Sequence, residues 1–241
     1  MKLIHPSAEI LTPHIEPDSE LSIMYAREDI YTQVVRAART CYQSEWNGKE
    51  PETTEDKGDF IRRLIQRKHF AMLDHASVQV LFTIDRGITH EVVRHRMAAF
   101  AQESTRYCNY SLGKFDHNVT YIDARDAFAL DPKMKNLPKS TIYLIESEWE
   151  AACFDAESHY LRMIELGASP QMARSVLNNS TKSQLVMTAD LTEWRHFFSL
   201  RAADETGGAH PQMKQVTKPL LRRFYEVWPD IFFDIYQKME E

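Results

Sequence analysis

Ala76-Ser77-Val78-Gln79-Val80-Leu81-Phe82-Thr83-Ile84 is the most strand-like stretch of this 241-residue chain. It is rich in β-branched residues and partly alternates apolar with polar positions, as a strand with one buried face does. Asp85-Arg86-Gly87 then turns the chain toward an expected helix over residues 88–97. Residues 183–189 form a second strand of similar pattern, and shorter strands are expected at 8–12 and 118–122. Between them the period changes to that of helices. Ile30, Val34, Val35, Ala38 and Cys41 recur at helical spacing over 29–42. The polar run 43–55 carries Gly48 and Pro51 and reads as a loop. Thr53 or Thr54 caps the next helix, where Phe60, Ile61, Leu64 and Ile65 make an apolar stripe up to Lys68. Further helices are expected at 139–165, at 170–177 with Pro170 in the first turn, and at 192–203. A last helix covers 212–233, kinked or split by Pro219 and Pro229. The result is a helix-rich α/β chain with a small sheet.

A composition of 43% hydrophobic and 27% charged residues suits one compact domain, 1–241. No apolar run approaches the roughly 20 residues of a membrane span, and the first residues read as no signal peptide. Cys41, Cys108 and Cys153 are odd in number and form no CxxC, so the expected compartment is a reducing cytoplasm. A net charge of −6 argues against broad nucleic-acid binding. Neither GxGxxG nor GxxxxGK[ST] occurs, so any nucleotide or flavin sits outside a Rossmann or P-loop cradle.

Two segments carry the chemistry. Arg94-His95-Arg96 places three potentially cationic side chains in a row; on a helix they diverge by about 100° each, and by themselves they read as a solvated helix end. Glu103-Ser104-Thr105-Arg106-Tyr107 offers an acid, two hydroxyls, a guanidinium and a phenol in five positions. Such a segment is an ordinary polar loop or a phosphate site built from Arg and backbone N–H groups.

Together, RHR, seven residues, then S-x-R-Y resemble the signature of the flavin-dependent thymidylate synthases. Other pieces agree in order: His69 to Asp74-His75 is similar to the family's H-x4-E-H, with Asp for Glu; Ala173-Arg174-Ser175-Val176-Leu177 to its A-R-x-V-L; and Trp194 to Ala202 to its late helix ending in L-R-A. The resemblance implies an α/β (α+β) fold, a small central mostly antiparallel sheet flanked by helices that binds flavin without a Rossmann motif. It implies reductive methylation of dUMP to dTMP, with FAD as cofactor and methylenetetrahydrofolate and NADPH as co-substrates, in a homotetramer whose active sites form between subunits. By the same resemblance Glu91, Arg94, Gln102, Glu103, Ser104, Thr105, Arg106, Arg174 and Arg201 bind dUMP. His69, Asp74, Arg94, His95, Arg96, Gln102, Asp190, His196 and His210 face FAD. Arg201 and Ser104 serve the catalysis, and no metal is expected.

Methylating C5 of uracil requires electron density there. A cysteine adding at C6 is one route, with Cys108, just after the motif, the sole candidate. The other route needs no protein nucleophile: a cation at the pyrimidine carbonyls stabilises negative charge on the ring, which Arg201 can supply at any working pH. Ser104 is then a hydrogen-bonding partner. Two rival readings compete. His69, His75, His90 and His95 with Asp74 suggest a metalloenzyme, but no HExxH or i, i+4 pair supports it. Arg106, Tyr107 and Tyr110 beside RHR mix cations and aromatics as single-strand binders do, against the acidic net charge.

Overall fold

A computed structural model describes residues 1–42 and 53–241. In chain order its first elements are β1 (Lys2–Ile4), β2 (Ser7–Thr12), α1 (Glu20–Tyr42), α2 (Thr54–Gln66), β3 (Ser77–Asp85), α3 (Arg86–Val92), β4 (Ala98–Gln102) and β5 (Thr120–Ile122). They are followed by α4 (Arg125–Leu130), α5 (Lys139–Glu165), α6 (Pro170–Ala173), β6 (Lys182–Asp190), α7 (Leu191–Arg201), α8 (Pro211–Val227) and α9 (Pro229–Glu240).

Four strands form a sheet in the order β2-β3-β6-β4, every neighbouring pair antiparallel. The centre is the β3–β6 pair, in register from Ser77 opposite Asp190 to Asp85 opposite Lys182. Val78, Val80, Phe82 and Ile84 are all buried, so the period-two pattern of β3 selects one core face. That face joins α1, α2, α7, α8 and α9 in one apolar cluster. Trp194 on α7 lies at its middle, 5.2–6.4 Å by ring centroids from Phe82, Phe197, Phe198 and Phe224. Its indole N–H donates to the Val78 carbonyl at 3.0 Å, so the ring is buried without an orphaned donor. A smaller cluster under α5 holds Tyr110, Val119, Tyr121, Cys153, Tyr160 and Ala173. Among the described residues no helix is long and apolar enough to cross a membrane.

Several boundaries differ from the sequence expectation. α1 starts at Glu20, not 29; Leu21, Met24 and Tyr25 in its first turns are exposed, so no buried stripe marks them in the sequence. Thr53 caps α2, accepting from the Asp56 amide at 3.1 Å, while Thr54 donates to Glu28. Residues 43–52 of the expected loop lie outside the described residues. The strand expected at 118–122 is β5, which pairs in parallel with β1 and not with the central sheet. α6 ends at Ala173 and passes into a 3-10 turn over Arg174–Val176. Pro229 separates α8 from α9, whereas Pro219 stays inside α8. The helix expected to reach residue 97 stops at Val92. The Arg94 and His95 amides close turns onto Glu91 and Val92 at 3.2 and 3.1 Å, and the chain enters an edge strand, β4, that the sequence did not announce.

Candidate active site

Two capped helices position the site. Asp85 ends β3 and accepts from the Ile88 amide at 2.7 Å, starting α3. Asp190 ends β6 and accepts from the Glu193 amide at 2.7 Å, starting α7. β4 begins with Ala98 opposite Ala189, so the Arg94-His95-Arg96 turn sits at the sheet end from which α7 departs. His95 is buried there, 5% exposed, with Arg94 and Arg96 exposed on either side.

The His95 ring ties its turn to α7, and Arg201 at the end of α7 reaches on to Glu91 of α3. His95 Nδ1 is 3.0 Å from Glu193 Oε1 and its Nε2 is 3.2 Å from Arg201 Nε. Arg201 also donates from Nη1 to the Glu91 carboxylate at 3.1 Å and from Nη2 to the Glu91 carbonyl at 3.4 Å. The exposed His196 ring lies 5.8 Å away and Phe197 meets His95 edge-on at 4.9 Å. A guanidinium only donates, so Nε2 accepts and the imidazole proton resides on Nδ1, facing Glu193. Burial first, then the Arg201 charge and the neighbouring His196, pushes the His95 pKa down to about 4, keeping the ring neutral. Burial pushes the Glu193 carboxyl up.

His95, Glu193 and His196 bring one ligand atom each within 4.8 Å of one another, a set able to gather a cation. It includes neither His69, His75, His90 nor Asp74, the metal set considered from sequence. Metal at Nδ1 would shift the ring proton to Nε2, where the Arg201 N–H points, so this relay and a metal compete.

The second motif lies at the other end of β4, about 15 Å along the strand. The Glu103 amide donates to Gln184 O at 2.8 Å, and its carboxylate accepts from Lys182 at 2.6 Å, Tyr110 at 3.0 Å and the Gln184 amide at 3.2 Å. Thr105 is buried and accepts from Arg174 at 3.1 Å. Ser104 Oγ accepts from the Arg106 amide at 3.3 Å, and among the described residues no acid or imidazole bonds it. Gln102 donates to Thr89 and Ser183 at 3.0 and 3.1 Å. Arg106 lies over the exposed Tyr107 ring at 5.3 Å.

The remaining residues singled out from sequence scatter. His69 is exposed at the start of the 3-10 turn Phe70–His75. Asp74 is exposed and lines a cavity of about 290 Å³ with Asp29, Gln33 and Ser77. The Asp190 carboxylate serves α7 as its cap. His210 caps α8 and neighbours Gln212, which bonds Asp85 at 2.9 Å. It therefore sits at the opposite end of β3 from Asp74, about 25 Å away by strand length. The fold thus unites Glu91, His95, His196 and Arg201 in one group and Thr105 with Arg174 in another. Sequence reasoning missed Glu193 and Lys182. Neither cysteine near the motif is activated: burial, then the Glu103 charge, raises Cys108, and burial raises Cys153. A cavity of about 550 Å³ between β2, residues 14–18 and α8 contains none of these residues.

Residues 23–230 match the family described as thymidylate synthase complementing protein. The chain belongs to that family. A flavin-dependent thymidylate synthase of Mycobacterium avium (strain 104) is 32% identical over 206 residues, covering 82% of this chain and 76% of its own length. One from Mycobacterium tuberculosis (strain ATCC 25618 / H37Rv) is 31% identical over 199 residues with the same coverage. Membership makes this chain an enzyme of the methyltransferase class. The fold is also that of the UMP/dUMP methylase PolB from Streptomyces cacaoi, solved with 5-Br dUMP, at TM-score 0.73 and 19% identity over 98% of this chain and 97% of that one.

Proposed function

We propose that this member of the family makes dTMP from dUMP by reductive methylation, with FAD as cofactor, methylenetetrahydrofolate as carbon donor and NADPH as reductant. One observation carries the reading: Arg201 of the late helix meets His95 of the RHR triplet, 106 residues earlier. Glu91 and His95 take three of the five guanidinium N–H groups, so one N–H on each terminal nitrogen makes none of the described hydrogen bonds. Two such N–H groups match neighbouring acceptors on a pyrimidine and favour negative charge on the ring. With both thiols near the motif raised and Ser104 bonded by no acid or imidazole among the described residues, the protein contributes charge and position rather than a nucleophile.

Bound flavin supplies the hydride chemistry. The residues present suit it. His196 offers an exposed imidazole beside His95, and the exposed Arg94 and Arg96 suit an anionic pyrophosphate.

The two motif groups, separated by β4 in one chain, meet across a subunit boundary. Arg201 and His95 of one protomer face the Ser104–Arg106 segment and Arg174 of another, in a homotetramer. This explains why one chain splits its polar residues between opposite sheet ends.

The test begins with colour: purified protein is yellow and bleaches on reduction, and a colourless protein that takes up no FAD contradicts the reading. Arg201→Ala, Ser104→Ala and Arg106→Ala each lose tritium release from C5-labelled dUMP while keeping the fold. Full activity in Arg201→Ala would refute its role. Subunit exchange between inactive Arg201→Ala and Arg106→Ala proteins restores part of the activity; no recovery contradicts the shared site.

A further inference from the structure

We infer that Glu193 is a positioning residue that aligns Arg201 through the tautomer of His95. The inference rests on the reading of Arg201 given above. Glu193 touches no proposed ligand; it acts through the ring between. Its carboxylate accepts the Nδ1 proton of His95 at 3.0 Å, so Nε2 is left bare to accept Arg201 Nε at 3.2 Å. Glu193 and His95 are buried, 9% and 5% exposed, and the Arg201 side chain is half-buried at 21%. Neutral imidazole in water favours neither arrangement strongly, and an Nε2–H ring would present a donor to a donor. Glu193 removes that choice. The Asp190 cap fixes Glu193 in the first turn of α7, and Arg201 closes the same helix, so one rigid element holds both ends of the relay. Arg201 is gripped along its Nε edge by His95 and at its terminal nitrogens by Glu91, which fixes the plane of the fork.

The experiment uses the full chain loaded with FAD, labelled with ¹⁵N-histidine, and reads the tautomer of His95 by NMR alongside kcat and KM for dUMP. Wild type shows neutral His95 with its proton on Nδ1. E193Q retains an oxygen acceptor, keeps that tautomer, and stays within about threefold of wild-type kcat. E193A populates the Nε2–H form and loses about 30-fold in kcat, the worth of one charge-assisted hydrogen bond, with KM changed less than threefold. An Nε2–H ring in wild type overturns the inference without any variant. So does an E193A protein with the Nδ1–H tautomer or with wild-type kcat, or an E193Q protein as impaired as E193A. If the tautomers behave as stated but no protein makes dTMP, the relay stands as structure, and its role in methylation falls with the functional reading.

Discussion

Arg201→Lys keeps the charge and removes the fork. In the structure Arg201 satisfies His95, the Glu91 carboxylate and the Glu91 carbonyl at once, and still presents an N–H from each terminal nitrogen. A lysine ammonium is a single donor point at a different reach, so it cannot meet His95 and Glu91 while also pairing two pyrimidine acceptors. Loss of a preorganised donor at developing negative charge costs about 10²- to 10³-fold in kcat, roughly 3–4 kcal/mol. The ground-state cost is smaller. One hydrogen bond to a partly buried carboxylate is worth about 1.5 kcal/mol, a fall in Tm of about 3–5 °C for a chain of this size. The assay is tritium release from C5-labelled dUMP, with flavin absorbance to confirm that the cofactor is loaded and a thermal melt to confirm the fold. A folded, yellow Arg201→Lys enzyme within threefold of wild-type kcat would refute the idea that fork geometry, and not charge alone, activates the ring.

Acidification destabilises the protein through His95. Its folded pKa of about 4 lies below the ordinary 6.5, so the unfolded chain takes up the proton first and stability falls as pH drops from 6.5 toward 4, by about 3 kcal/mol at most. Arg201, His196 and Glu193 all face the ring; urea titrations at several pH values should show a shallower slope for His95→Asn, and an unchanged slope contradicts the assignment. Trp194→Ala empties the centre of the aromatic cluster and costs about 4 kcal/mol, read as a lower urea midpoint; a loss under 1 kcal/mol would mean the ring is not central to packing. Lys182→Met strips the Glu103 carboxylate of its cation and lowers dTMP formation by weakening the Ser104–Arg106 loop, seen as a higher KM for dUMP; unchanged KM would detach Lys182 from the site.

β3 and β6 were legible because each alternates a buried face along nine residues, long enough for its period to show, and α5 because it runs unbroken for 27 residues. β4 was not: Ala98-Ala99-Phe100-Ala101-Gln102 has alanines, which favour helix, and no β-branched residue to advertise an edge strand. Pairing with β6 overrides that preference, and the RHR triplet consequently lies in a turn and not on a helix. The family pattern gave Arg201 and His95 but not their contact, which depends on the path of α7 across the sheet. Glu193 was hidden by a second meaning. Asp190-x-x-Glu193 reads as a helix start with an acid in the first turn, and the Asp190 side chain does bond the Glu193 amide. Only the fold shows that the Glu193 carboxylate turns inward to His95. Lys182 was equally silent, since its partner Glu103 is brought to it by strand pairing alone.

In the proposed reaction flavin and a charged pyrimidine site, not a cysteine, carry the methylation. This is tested most directly by the Cys41→Ser, Cys108→Ser, Cys153→Ser triple variant, incubated with dUMP, methylenetetrahydrofolate and NADPH, with and without FAD, and assayed for dTMP. The expected result is dTMP formation near the wild-type rate with FAD and none after flavin is stripped. A variant that binds FAD but makes no dTMP, or a stripped wild-type protein that still makes it, would rule out flavin-borne methylation without a cysteine.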